Sequence, residues 1–110
     1  ESQQVVQLVL EVTRQKGETK PQYLQRVLSS GSRNALVLKC ADRISNLTDL
    51  HRDTHSRQKI TSYLRQTETY VFPMADRVNQ NMLKELKDLV LRRWEIVKLM
   101  EKKNTKTNEL

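Results

Sequence analysis

The chain has 110 residues, 30% of them charged, with a net charge of +7 and one cysteine. That length holds a single domain with a modest core; the lone Cys40 excludes an internal disulfide, and no apolar run reaches the roughly 20 residues that span a bilayer. Two glycines and two prolines among many long polar side chains favour helix over sheet, so the expected class is all-α.

Ser2 to Arg14 reads as a first helix, on which Val5, Val6, Leu8, Val9 and Val12 make a broad apolar face. Gln15 to Lys20 is a polar connection, and Gly17 can close the helix before it. Pro21 suits the first turn of a second helix, with Tyr23, Leu24, Val27 and Leu28 facing inward. The run Ser29-Ser30-Gly31-Ser32 ends that helix, and Ser32 can cap a third one that stops near Leu50.

The polar run HRDTHSR follows. From about Ser56 another helix carries Ile60, Tyr63, Leu64, Thr67, Val71, Met74, Ala75 and Val78 at helical spacing. Pro73 removes a backbone N–H inside it, which predicts a kink or break between Thr69 and Phe72. The last helix spans about Asn81 to Lys102, with Leu83, Leu86, Val90, Trp94 and Val97 on one stripe. Residues 1–102 are thus the expected structured unit, and 103–110 a polar, fraying tail.

The third helix carries the most informative pattern. In LVLKCADRISNLTDL, Leu38, Ala41, Ile44 and Leu47 recur as a core-facing stripe, and Asp42 and Asn46 lie one turn apart at its edge. A carboxylate at such an edge must be paired, hydrogen-bonded or bound to a cation, because an isolated buried charge is too costly. Asp42 is therefore a candidate metal ligand, with a structural carboxylate as the plain alternative. Asn46 is a candidate substrate contact or a simple link between helices. Lys39 and Arg43 flank the aspartate and could offset a phosphate's charge, or could simply be solvated. His51 and His55, with Asp53 between them, lie among charged residues where a helix breaks, and a solvated loop is the expected reading. Cys40 reads as a small buried apolar residue.

The run LKCADRISNL, followed by QTETYVFPMADRVN from Gln66 to Asn79, resembles the HD-type hydrolase domain of RelA/SpoT homologues. Pro73, Met74 and Ala75 match the family's second motif. Val71 stands where that motif has its tyrosine, and Thr48 and Asp49 stand where an arginine and a threonine are usual. The resemblance implies a helical bundle of HD type. It also implies removal of the 3′-pyrophosphate from a pyrophosphorylated guanine nucleotide, (p)ppGpp, with manganese (Mn2+) as the cofactor. Within it, Asp42 matches the last metal-ligand aspartate and Asn46 lines the nucleotide pocket.

HD enzymes hold their metal with further histidines and a His-Asp pair. This chain has no such pair, and both of its histidines follow Asp42. One carboxylate cannot hold a catalytic divalent ion. The expectation is therefore the C-terminal part of an HD domain that lacks the first helices, with the site completed upstream or by a second chain. The net charge suits an anionic partner. In the last helix Arg92, Arg93, Lys98, Lys102 and Lys103 alternate with Glu95 and Glu101, which is the pattern of an exposed, salt-bridged helix. A nucleic-acid partner is accordingly not expected, nor is a membrane, and a cytoplasmic setting is. The competing class is a helical regulatory or interaction module without catalysis.

Overall fold

Short polar side chains start several helices of this chain, at Ser32 and Ser56 where expected and at two further positions. In a computed structural model, which describes residues 2–50 and 56–109, with side chains over 3–50 and 56–100, the described residues are helical with polar connections. They form α1 (Ser2–Glu11), α2 (Lys20–Ser30), α3 (Arg33–Asp49), α4 (Arg57–Gln66), a π-helical turn (Thr67–Val71), α5 (Phe72–Val78) and α6 (Gln80–Glu109). The chain is an all-α bundle.

Thr19 opens α2 with a reciprocal cap. Its Oγ1 accepts from Gln22 N at 3.2 Å, and the Gln22 side chain accepts from Thr19 N at 2.9 Å. Ser32 Oγ accepts from Ala35 N at the start of α3, Ser56 Oγ from Lys59 N at the start of α4, and Asn79 Oδ1 from Met82 N in α6. Each satisfies an amide that the first helical turn leaves without an intrahelical partner.

Two boundaries differ from expectation. The first helix ends at Glu11 rather than Arg14, so Gly17 does not close it; with φ of +81° it makes the turn further on. The last helix continues past Lys102 to Glu109, since EKKNTKTNE contains neither glycine nor proline to stop it.

The long fourth segment is interrupted just before Pro73, where a kink or break was expected. The interruption takes the form of a π turn, in which Phe72 N donates to Thr67 O five residues back. An inserted residue of this kind accommodates a proline ring that would otherwise press on the carbonyl four residues earlier.

The core lies between α3, α4, α5 and α6. Leu24, Leu36, Cys40, Leu47, Leu64, Val71, Met74 and Leu86 are essentially inaccessible. The fully buried stripe of α3 is Leu36, Cys40, Arg43 and Leu47, continued by Leu50 at its end; of the expected Leu38, Ala41, Ile44 and Leu47, Leu47 is buried and Ile44 partly buried against the core. Leu38 is 43% exposed and Ala41 is exposed. Leu47 belongs to both patterns, so the period was right and the phase was not. An arginine occupies the buried position that the expected phase treated as polar.

α1 is docked largely through polar groups. The Glu11 carboxylate accepts from Ser32 N at 2.8 Å and Ser32 Oγ at 2.9 Å. Arg26 donates to the carbonyls of Glu11 and Thr13 and pairs with Glu18 at 2.9 Å, and the Tyr23 hydroxyl donates to Val12 O. Leu8 and Val12 are half-buried, but Val5, Val6, Val9 and Leu10 are each more than half exposed. No described helix is long and apolar enough to cross a membrane.

Candidate functional site

α3 positions the candidate residues because its buried stripe fixes its rotation. With Leu36, Cys40 and Leu47 turned into the core, Asp42 and Asn46 fall on one exposed flank. The C-terminal end of that helix is held by Arg93 of α6, whose Nε donates to Leu47 O at 2.9 Å and Nη2 to Thr48 O at 3.0 Å. Two free carbonyls beside Asn46 are thereby satisfied.

Asp42 is 53% exposed at its side chain, with Lys39 Nζ 3.6 Å from its Oδ2. Asn46 Nδ2 donates to the same oxygen over a long 3.4 Å. The pair read from the sequence is thus brought together, with Lys39 beside it. Lys39 is itself mostly covered, its ammonium 5.0 Å from the centroid of the Tyr23 ring. A shallow hollow of about 290 Å³ lined by Val12, Tyr23, Leu38, Lys39 and Asp42 opens here.

Arg43 is placed differently from expectation. Only 1% of it is exposed, so it does not flank Asp42 at the surface. Its Nη1 donates to Thr67 Oγ1 at 3.3 Å, and its guanidinium lies 4.1 Å from the centroid of the Tyr63 ring. The side chain points into the bundle because that is where α3 turns position 43, one turn from both Cys40 and Leu47.

One turn along α3 from Asp42, a cavity of about 410 Å³ opens between α2, α3 and α4. Its walls include Lys20, Asn46, Asp49, Lys59, Tyr63 and Gln66. Burial holds the Lys20 ammonium below the ordinary lysine range, and Arg43, Lys39 and Arg14 add repulsion that Asp42 opposes. The same burial lowers Arg43 and pushes the Tyr63 hydroxyl above the usual phenol range. Positive charge thus gathers on this side of the molecule with one acidic side chain, Asp49, in the cavity wall.

Of these wall residues the sequence reading had singled out Asn46 as a functional candidate. Tyr63 was read as core, while Lys20, Lys59 and Gln66 carried no signal of their own. The available clue was spacing: Lys59, Tyr63 and Gln66 recur at i, i+4 and i+7, one face of α4. His51 and His55 lie outside the described residues.

The arrangement can attract an anion, orient it with amide and hydroxyl groups, and offer one exposed carboxylate nearby. Among the described residues no three His, Cys, Asp or Glu side chains come together. These donors therefore do not fit a self-contained manganese site. In comparisons with known proteins, the chain matches no family model and no curated sequence.

Proposed function

We propose that this chain is part of a metal-dependent HD-type phosphohydrolase acting on a pyrophosphorylated guanine nucleotide such as (p)ppGpp, with the 410 Å³ cavity as its nucleotide pocket. The observation that carries the reading is the placement of Asp42 and Asn46. They share the exposed flank of α3, and the asparagine forms a wall of a cavity edged by Lys20 and Lys59. The motif resemblance around ADRISN and PMA supplies the substrate class; the geometry supplies a pocket of compatible charge.

In this reading Lys20, Lys39 and Lys59 offset the negative charge of the guest, and Asn46 orients its nucleoside. Asp42 contributes one carboxylate toward the manganese ion that the resemblance implies. The described donors stop there, so the hydrolytic centre depends on ligands beyond them, and no general acid or base is assigned. A cytoplasmic, reducing setting belongs to the same proposal.

The deciding experiment is manganese-dependent release of pyrophosphate from (p)ppGpp by the protein. Asp42→Asn abolishes turnover, and Asn46→Ala raises KM. Absence of turnover, together with absence of manganese binding by calorimetry, moves the assignment to a second reading. That reading is a non-catalytic interaction module, and the exposure of Val5, Val6, Val9 and Leu10 on α1 is what favours it.

A further inference from the structure

None of the described side chains of α1 is fully buried; Leu8 and Glu11 are half-buried and the others exposed. A helix this short is marginal on its own in water, so its docking decides whether it persists. One guanidinium joins the end of that helix to the connection behind it. Arg26 of α2 donates to Glu11 O at 3.1 Å, to Thr13 O at 2.9 Å and to both carboxylate oxygens of Glu18. The connection it pins is the one that turns at Gly17.

Through Tyr23 the same connection reaches the Asp42 flank of α3. The Tyr23 hydroxyl donates to Val12 O, and both residues line the shallow hollow that Lys39 and Asp42 also line. The Tyr23 ring centroid lies 5.6 Å from the Arg26 guanidinium and 5.0 Å from the Lys39 ammonium. Lys39 is thereby kept 13% exposed at its side chain, with Nζ 3.6 Å from Asp42 Oδ2. An ammonium held there repels any cation that approaches the same oxygen.

We propose that α1 and its connection form an autoinhibitory strap over the Asp42 flank. Latched by Arg26, the strap holds Lys39 against Asp42 through Val12 and Tyr23. Released, it frees the carboxylate for a cation and the lysine for an anionic guest. Opening is local, because few covered apolar groups bind α1 while the core between α3 and α6 stays shut. Linkage makes the coupling reciprocal, so a cation at Asp42 favours the released strap. The regulatory role rests on Asp42 being a metal ligand in the intact centre; the strap and its latch do not.

Hydrogen exchange read by mass spectrometry follows the strap, and labelling with an amine-acylating reagent follows Lys39. Arg26→Met removes the latch. Amides of α1 then exchange about 10-fold faster, the size of one lost hydrogen bond to a charged group, and Lys39 labelling rises with them. Exchange in α3 and α6 and labelling of the exposed Lys84 stay at wild-type rates. Tyr23→Phe keeps the ring, removes the bond to Val12 O and also speeds Lys39 labelling. Unaltered α1 exchange in Arg26→Met overturns the strap, as does faster exchange with unaltered Lys39 labelling, or faster exchange throughout α3 and α6. Manganese-dependent hydrolysis of (p)ppGpp separates this inference from the reading it rests on. With turnover, Arg26→Met lowers the manganese concentration for half-maximal rate, since apparent affinity scales with the released fraction; an unchanged requirement overturns the regulatory role. Without turnover in the wild type, the hydrolase reading falls and a strap that passes the labelling test stands.

Discussion

The Arg43 guanidinium of α3 and the Tyr63 ring of α4 are stacked 4.1 Å apart, and this contact stands where a core would ordinarily place an apolar side chain or an ion pair. A cation–π contact with one hydrogen bond, to Thr67, offsets only part of the cost of burying a charge. Arg43→Met, which retains length and removes the charge, is expected to stabilise the fold by about 1 kcal/mol. Arg43→Ala, which leaves a void as well, is expected to cost about 2 kcal/mol or more. Urea unfolding of the two variants separates the effects. Equal destabilisation by both would show that the charge itself holds the helices together.

Cys40 offers a pH-dependent test of the same core. Its side chain is inaccessible and its thiol is pushed up to about 11 from 9.0 by burial alone. The folded state therefore keeps the proton that the unfolded chain releases first. This contribution to stability is complete below about pH 9 and is lost as pH rises through the folded value. Cys40→Ala should flatten that part of the alkaline stability profile. In the wild type at neutral pH, alkylation by a thiol reagent should proceed only as fast as the protein opens, because the thiolate is the nucleophile.

Much of the fold could be read from residues alone, and the reason lies in local signals. The cap at Ser32, the proline at the start of α2, the helical spacing of Leu64, Val71 and Met74, and the scarcity of glycine and proline all act within one or two turns. The phase of α3 was not legible, because Leu36–Cys40–Leu47 and Leu38–Ala41–Leu47 are both plausible stripes. Only packing against α5 and α6 chooses between them. The pairing of Asp42 with Asn46 followed from helical spacing and was found. The cavity was not, since its walls come from three helices and no spacing rule joins Lys20 to Tyr63. At Pro73 the place of the interruption was legible and its form was not: a π turn and a kink both relieve the same clash, and the sequence carries no preference between them.

The Thr19–Gln22 box is exposed and makes no tertiary contribution that would mask its effect. Thr19→Ala should lower stability by about 1 kcal/mol, the usual value of a helix N-cap. Thr19→Ser should retain most of it, because the hydroxyl oxygen is what accepts from Gln22 N. A thermal melt of the three proteins suffices. An alanine variant that melts with the wild type would mean that α2 is held by Tyr23, Leu24 and Val27 so firmly that its end does not matter.

α1 supplies the sharpest contrast between apolar composition and burial. Val9 is 53% exposed and Leu10 59%, whereas Leu24 on α2 is completely covered. Val9→Gln and Leu10→Gln should each change stability by less than about 0.5 kcal/mol, as for surface positions generally. Leu24→Ala should cost about 3 kcal/mol through lost transfer energy and a residual cavity. The glutamine variants should also bind less of an apolar fluorescent dye, since they remove side chains from a contiguous exposed patch. If Val9→Gln instead destabilises as strongly as Leu24→Ala, that face of α1 is covered in the protein in solution, and the interaction-module reading gains over the hydrolase.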